Sequence, residues 1–199
     1  MCLRPGVHDG LMSLRLTSVL SVADLPLAEL CAARLDGELS GIDSYFSPVD
    51  EPDDLRHRAA VLAAMAPPKL IAEQHSAAWV WGARTWPPPR QRFCVAVGAR
   101  ISISAAAPHR LREVVIDDTE YVVVEGLRLT TPVRTAIDIA RSGTAFDASD
   151  RDVIAWLMRF GDFRAEDCRS AMNSRRNLPR RNEAMARLIE AAELAISRR

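Results

Sequence analysis

Lysine is all but absent from this chain. Of its 26 basic residues one is Lys69 and the others are arginine. The common metal-dependent nucleases need an Asp and then a Glu-x-Lys on a neighbouring strand. Lys69 stands instead in Pro-Pro-Lys-Leu, so that cluster is missing. Glycine is sparse too, at nine residues, with no G-x-G-x-x-G, no Walker pattern and no G-x-S-x-G elbow. The four cysteines, Cys2, Cys31, Cys94 and Cys168, form no C-x-x-C pair, and the four histidines, His8, His57, His75 and His109, are equally dispersed. Neither set has metal-ligand spacing, so no metal and no cofactor is expected. Uncharged runs such as Ile101 to His109 are far too short to span a bilayer. Residues Met1 to Leu20 interleave Arg4, His8, Asp9 and Arg15 with apolar residues, unlike a secretory signal. The expectation is a cytoplasmic protein without membrane contact.

What is present is an average globular composition: 199 residues, 48% hydrophobic and 26% charged, with 26 acids balancing 26 bases. A zero net charge predicts no global attraction to nucleic acid or membrane. The charge is unevenly placed, however. From Asp24 to Asp54 there are nine acids against Arg34 alone, and from Arg169 to Arg181 five arginines without an acid.

Proline pairs and triplets at Pro67-Pro68 and Pro87-Pro88-Pro89 punctuate the chain. A first helix is expected from Asp24 to Asp36, with Asp24 as cap, Leu27, Leu30, Cys31 and Leu35 at helical spacing, and Gly37 as the stop. Two short strands, Glu38 to Ile42 and Tyr45 to Val49, fit a hairpin. A helix followed by a hairpin is the layout of the last helix and wing of a winged helix. A second helix is expected over Leu55 to Met65, and a brief buried one from Gln74 to Gly82. Phe93 to Val97 is apolar on both faces, as a central strand is. Arg110 to Ile116, Glu120 to Val124 and Leu127 to Thr130 supply further strands, the last two joined at Glu125-Gly126. Thr131-Pro132 is a strong helix start, and Val133, Ala136, Ile137 and Ala140 make a stripe expected to pack on the Phe93 to Val97 strand. Helices over Ser149 to Phe160, Ala165 to Asn173 and Arg181 to Ser197 complete the chain. The class is α+β: a winged-helix-like segment over residues 1–52, then an α/β domain over 53–199 with helices on a small mixed sheet.

Catalytic chemistry finds little support. His75-Ser76 are sequence neighbours, and neighbours at a helix start diverge, so the pair reads as part of a short buried helix. Asp117-Asp118 reads as a solvated turn. Trp79, Trp81 and Trp86 are flanked by small apolar residues and read as packing rather than base stacking. The segment Arg169 to Arg181 stands out as a positive field that suits an acidic or nucleic-acid partner.

The stretches Tyr-Phe-Ser-Pro-Val-Asp-Glu-Pro (45 to 52), His-Ser-Ala-Ala-Trp-Val-Trp-Gly (75 to 82), Thr-Thr-Pro-Val-Arg-Thr-Ala-Ile-Asp-Ile-Ala-Arg (130 to 141) and Arg-Arg-Asn-Leu-Pro-Arg-Arg (175 to 181) occur in this order. Together with the stretch from Leu27 to Leu39, the chain resembles the AbiEi-family antitoxins of type IV toxin–antitoxin systems, in their actinobacterial form. The resemblance implies a winged helix-turn-helix that binds the operon's own promoter DNA. It also implies an α/β domain that counters a nucleotidyltransferase-like toxin, without catalysis. Against that pattern the front is short and acidic, whereas a recognition helix facing phosphates is normally basic. Candidate nucleic-acid or partner contacts are therefore Arg34, Arg169, Arg175, Arg176, Arg180 and Arg181. The alternatives are a nuclease-related enzyme lacking its catalytic C-terminal domain and a plain DNA-binding transcriptional regulator.

Overall fold

The computed structural model describes residues 18–42, 44–99, 109–143, 146–175 and 178–197. The chain forms two compact units, divided between Glu51 and Pro52.

In the first unit, helix α1 (Leu27–Leu35) precedes an antiparallel pair, β1 (Leu39–Ile42) and β2 (Tyr45–Pro48), registered from Leu39 opposite Pro48 to Ile42 opposite Tyr45. Leu20 adds a bridge to Phe46 through two backbone hydrogen bonds of 2.7 and 2.8 Å. Leu30, Leu39 and Phe46 are the buried apolar residues, with Leu20 and Ala33 packed beside them. Two expectations change here. Pro26, not Asp24, is the N-cap residue. The Asp24 carboxylate instead accepts from the Ser21 N–H and hydroxyl, closing the preceding turn. Of the apolar positions expected to face inward, only Leu30 does; Leu27, Cys31 and Leu35 are exposed, and Ala33 makes the other helical contact with this small core. Gly37 ends the helix at φ 78°, where a side chain would strain the backbone.

The second unit holds α2 (Leu55–Met65), β3 (Ile71–Ala72), α3 (Gln74–Val80), β4 (Arg92–Ala96), β5 (Arg110–Val114), a 3-10 turn (Asp118–Glu120), β6 (Tyr121–Val124), β7 (Leu127–Thr130), α4 (Pro132–Ala140), α5 (Ala148–Phe160), α6 (Ala165–Asn173) and α7 (Arg181–Ser197). The described residues therefore contain seven α-helices, a two-stranded sheet and a five-stranded mixed sheet. The five strands run in the order β5-β4-β3-β7-β6. β3 pairs antiparallel with β4 and parallel with β7; β4 and β5 are parallel, and β6 and β7 form a hairpin. The centre of the sheet is the two-residue β3, flanked by the apolar β4. Asp54 caps α2, its carboxylate accepting from the His57 N–H at 2.9 Å. Arg58, inside α2, is 9% exposed: its guanidinium donates to both Asp53 carboxylate oxygens at 2.6 Å and to the carbonyls of Trp79 and Arg84.

α4 starts as its sequence predicts, with the Thr131 hydroxyl accepting from Arg134 N–H and Pro132 in the first turn. Its packing differs from expectation. Its main neighbours are α5, α3, α7 and α6 rather than β4. Ala136, Ile137, Ile139 and Ala140 enter an apolar cluster with Ile154, Leu157, Met172 and Leu188. The reason is that three C-terminal helices bring apolar faces of their own, and α4 is the shared partner that covers all of them. Trp79 is buried as expected and Trp81 partly so, its indole N–H donating to the Thr130 carbonyl at 2.9 Å. Trp86 departs from that reading, being 77% exposed beside the proline run.

Candidate functional site

An α-helix buried nearly all round has no solvent for its polar side chains, so those of α4 must find partners inside the protein. Arg134, Asp138 and Arg141 recur at i, i+4 and i+7 and form one ridge. Arg134 donates from Nε to Asp138 Oδ2 at 2.7 Å and from Nη1 to Glu120 Oε2 at 2.9 Å. Arg141 stands 3.5 Å from the other Asp138 oxygen and donates to the Pro179 carbonyl at 3.2 Å. From the sheet, Arg112 on β5 comes within 3.2 Å of Asp138. Arg112 also reaches past β4 to Glu73, which follows β3, with Nε contacts of 2.6 and 2.8 Å to its two oxygens. Register explains that reach. Cys94 of β4 is opposite both Ile71 and Arg112, so the residues on either side of the strand come within one side-chain length.

Burial raises the Glu73 carboxyl above the usual carboxylate range, while the Arg112 fork pulls it down. For Arg112, burial works against the charge, but the hydrogen bonds to Glu73 and the charge of Asp138 outweigh it and hold the guanidinium more firmly protonated. The two short contacts favour the ionised pair. The network ends at Arg175, just beyond α6, whose guanidinium is paired with Glu120. Three carboxylates and four guanidinium groups thus tie the sheet, the 3-10 turn, α4 and the end of α6 together. Each acid is held by at least one arginine, so the arrangement is one of structural anchoring rather than of a free general base.

The sequence-predicted residues divide between the two units. Arg34, in the first unit, is exposed on α1, and its guanidinium lies over Gly41, where an added Cβ would meet Nη1 at 3.3 Å. Arg169 is exposed on α6, 3.5 Å from Glu166. Arg175 is half-buried in the network, and burial lowers its pKa. Arg176 lies outside the described residues. Arg180 and Arg181 are brought together at the start of α7; both are exposed, and Arg180 has φ 58°. Glu183, one turn on, gives its carboxylate to Arg187 at 2.6 Å rather than to either of them. Two positive charges therefore sit at the positive end of a 17-residue helix without an ion pair among the described residues. Arg180 also packs its guanidinium on Gly143, where a Cβ would clash at 2.5 Å.

Glu73, Arg112, Glu120, Arg134 and Asp138 went unremarked as a group in the sequence. The Arg134–Asp138–Arg141 spacing was a signal, since charge on a helix that starts so firmly has to be exposed or paired. Glu73 and Arg112 had none, because their meeting depends on strand order. Among the described residues no group of three or more His, Cys, Asp or Glu side chains is placed to hold a metal. Cys94 and Cys168 are buried and Cys31 is exposed, all three reduced; burial pushes the Cys168 thiol up to about 12. No described helix is long and apolar enough to cross a membrane.

A family model described as the AbiEi antitoxin C-terminal domain matches residues 70–187, more than half of the chain. That span runs from the start of the five-stranded sheet into α7 and includes the whole ion network. No curated protein matches the chain.

Proposed function

The chain belongs to the AbiEi antitoxin family, and from that premise we propose that it is a non-catalytic antitoxin of a type IV system, acting in the cytoplasm against a nucleotidyltransferase-type toxin. The family domain implies a partner toxin. The absence of catalysis is supported by the state of the acids in the network, each committed to a guanidinium. We further propose that the protein binds promoter DNA and so regulates its own operon, with the helix and hairpin of the first unit acting as a winged helix.

The observation that carries the DNA contact is the pair Arg180 and Arg181. They are exposed, without an acidic partner among the described residues, and stand where the helix dipole adds to their field. Arg169, exposed on α6 beside Glu166, is a further candidate contact, while Arg175 is held from within by its link to Glu120. Arg34 is the one basic side chain of the acidic front and the second place where DNA would be met.

Two measurements test this reading. Expression of the chain together with the toxin encoded beside it is expected to restore growth; continued arrest with the folded chain present would overturn the antitoxin assignment. For the DNA contact, Arg169→Ala/Arg180→Ala/Arg181→Ala is titrated against promoter duplex at several salt concentrations. Each lost phosphate contact should shallow the log–log salt slope by about 0.9. An unchanged affinity and slope would move the contact away from α7.

A further inference from the structure

Four arginines that take no part in the ion network converge on a cavity. Arg84 follows α3, Arg90 follows the triple proline, Arg92 is on β4 and Arg110 on β5; they share a cavity of about 520 Å³ with His75 and Asp150. None of the four arginines has an ion pair among the described residues, whereas Arg58, Arg112 and Arg134 are each paired with a carboxylate. Two carboxylates, Asp147 and Asp150, also line the cavity, so four positive charges face two negative ones. Asp147 caps α5, accepting from the Asp150 N–H at 3.0 Å, and Asp150 faces His75 at 3.3 Å. Arg92 donates to Gln74 at 2.9 Å, a neutral partner, while the charges of Glu73 and Asp150 act against the repulsion from Arg110 and Arg112. The Nε of Arg84 and the Nδ1 of His75 are enclosed and have no hydrogen-bond partner.

Like charges gathered in a partly enclosed space repel one another, and a fold keeps them together at a cost that a bound anion removes. That repulsion is visible in the groups themselves. Arg92 is held below its usual value by burial and by Arg110, and His75 is lowered to about 4 by burial and by Arg84 and Arg92. His75 is therefore neutral at physiological pH and adds no charge of its own to the cavity. The geometry points to a binding pocket for a small phosphorylated anion, with Arg84, Arg90, Arg92 and Arg110 as the phosphate forks. Guanidinium forks match phosphate oxygens two at a time, which suits a ligand with more than one phosphoryl group. Pro88 and Pro89 also line the cavity, and no Phe, Tyr or Trp ring does, so recognition is through the phosphates rather than by stacking on a base. A concave site of this volume fits a small ligand better than the extended track of a nucleic-acid backbone. This pocket is separate from the α7 surface and stands or falls independently of the DNA contact proposed above.

The test is calorimetric titration of the full chain with inorganic pyrophosphate, compared with Arg90→Gln/Arg110→Gln. Both positions are exposed, so the substitution leaves the core intact. Arg56→Gln/Arg128→Gln, which removes the same charge away from the cavity, is the control. Saturable pyrophosphate binding that weakens by about tenfold or more in the first variant, and not in the control, is expected for charge-assisted contacts. Absence of binding, or equal weakening in the two variants, would overturn the pocket. A single-stranded oligonucleotide is the third arm. Binding of it that depends on Arg90 and Arg110, with none of pyrophosphate, would replace the small ligand by a nucleic-acid strand and overturn the assignment.

Discussion

Asp138 is the test of the buried network, because one carboxylate faces three guanidinium groups with no exposed surface of its own. Its side chain is 0% exposed and stands 2.7 Å from Arg134, 3.2 Å from Arg112 and 3.5 Å from Arg141. In Asp138→Ala none of the three arginines is wholly abandoned. Arg134 keeps Glu120, Arg112 keeps Glu73 and Arg141 keeps the Pro179 carbonyl. Arg134 loses most, since it is 3% exposed and cannot turn to water. Removing one partner of a buried pair costs about 3–5 kcal/mol, and the remaining partners place this case near the lower end. For a domain of this size about 3 kcal/mol corresponds to a Tm lowered by roughly 6–12 °C, read by circular dichroism melts and confirmed by the urea midpoint. Asp138→Asn keeps the shape and one acceptor and should lose less. Arg134→Met/Asp138→Leu, which removes both charges and refills the volume, should melt higher than Asp138→Ala alone, because an apolar pair leaves less uncompensated charge. An Asp138→Ala melt within about 1 °C of the parent would refute the network's role, being under half a kcal/mol on the same scale. So would a double variant whose loss equals the sum of its singles.

Ile137→Asp puts a carboxylate into the apolar cluster at a position 4% exposed, where the nearby Arg134 and Arg175 are already committed to Glu120, and should abolish a cooperative melt, a loss above about 4 kcal/mol; a normal urea transition would contradict the placement of α4. Arg58→Lys keeps the charge but not the fork that grips Asp53 while reaching two carbonyls, and should lower stability by about 2–3 kcal/mol by urea midpoint; a midpoint equal to the parent's would show that the charge alone suffices. His75 makes stability depend on pH. Its folded value of about 4 lies below 6.5 in the unfolded chain, so the unfolded state takes up the proton first and stability falls as pH drops from 6.5 towards 4, by about 2 kcal/mol at pH 5. Asp150, raised by its burial, acts in the opposite sense as pH falls to its own range, so the readout is the difference between the parent and His75→Gln across pH 7 to 5; parallel curves would mean that His75 is not held neutral.

The elements were legible wherever a local signal was strong. Thr131-Pro132 started α4, Gly37 and Gly82 stopped their helices at φ 78° and 90°, and Glu125-Gly126 turned the β6–β7 hairpin, each because backbone chemistry acts over two or three residues. Asp24 was a different case: two positions before Pro26 its carboxylate serves the Ser21 turn rather than the helix start, a choice between two local bonds. Of the site, the exposed arginines of 169–181 were visible as a cluster, but Arg175 was indistinguishable from its neighbours until Glu120 claimed it.

What the amino-acid sequence determines by itself, then, is the class, the helix and strand segments, the missing catalytic motifs, and the uneven charge, since all of these follow from composition, periodicity and the conformational limits of single residues. Which acid meets which arginine is decided only by the tertiary structure. Glu73 and Arg112 are 39 residues apart and meet because β4 lies between their strands. Arg84, Arg90, Arg92 and Arg110 share a cavity because the chain turns at three prolines and returns in β5. Charge at a distance carries no local signature. Its partners are set by strand order and helix packing, and the low dielectric of the interior then makes a paired arginine an anchor and an unpaired cluster a site for an anion.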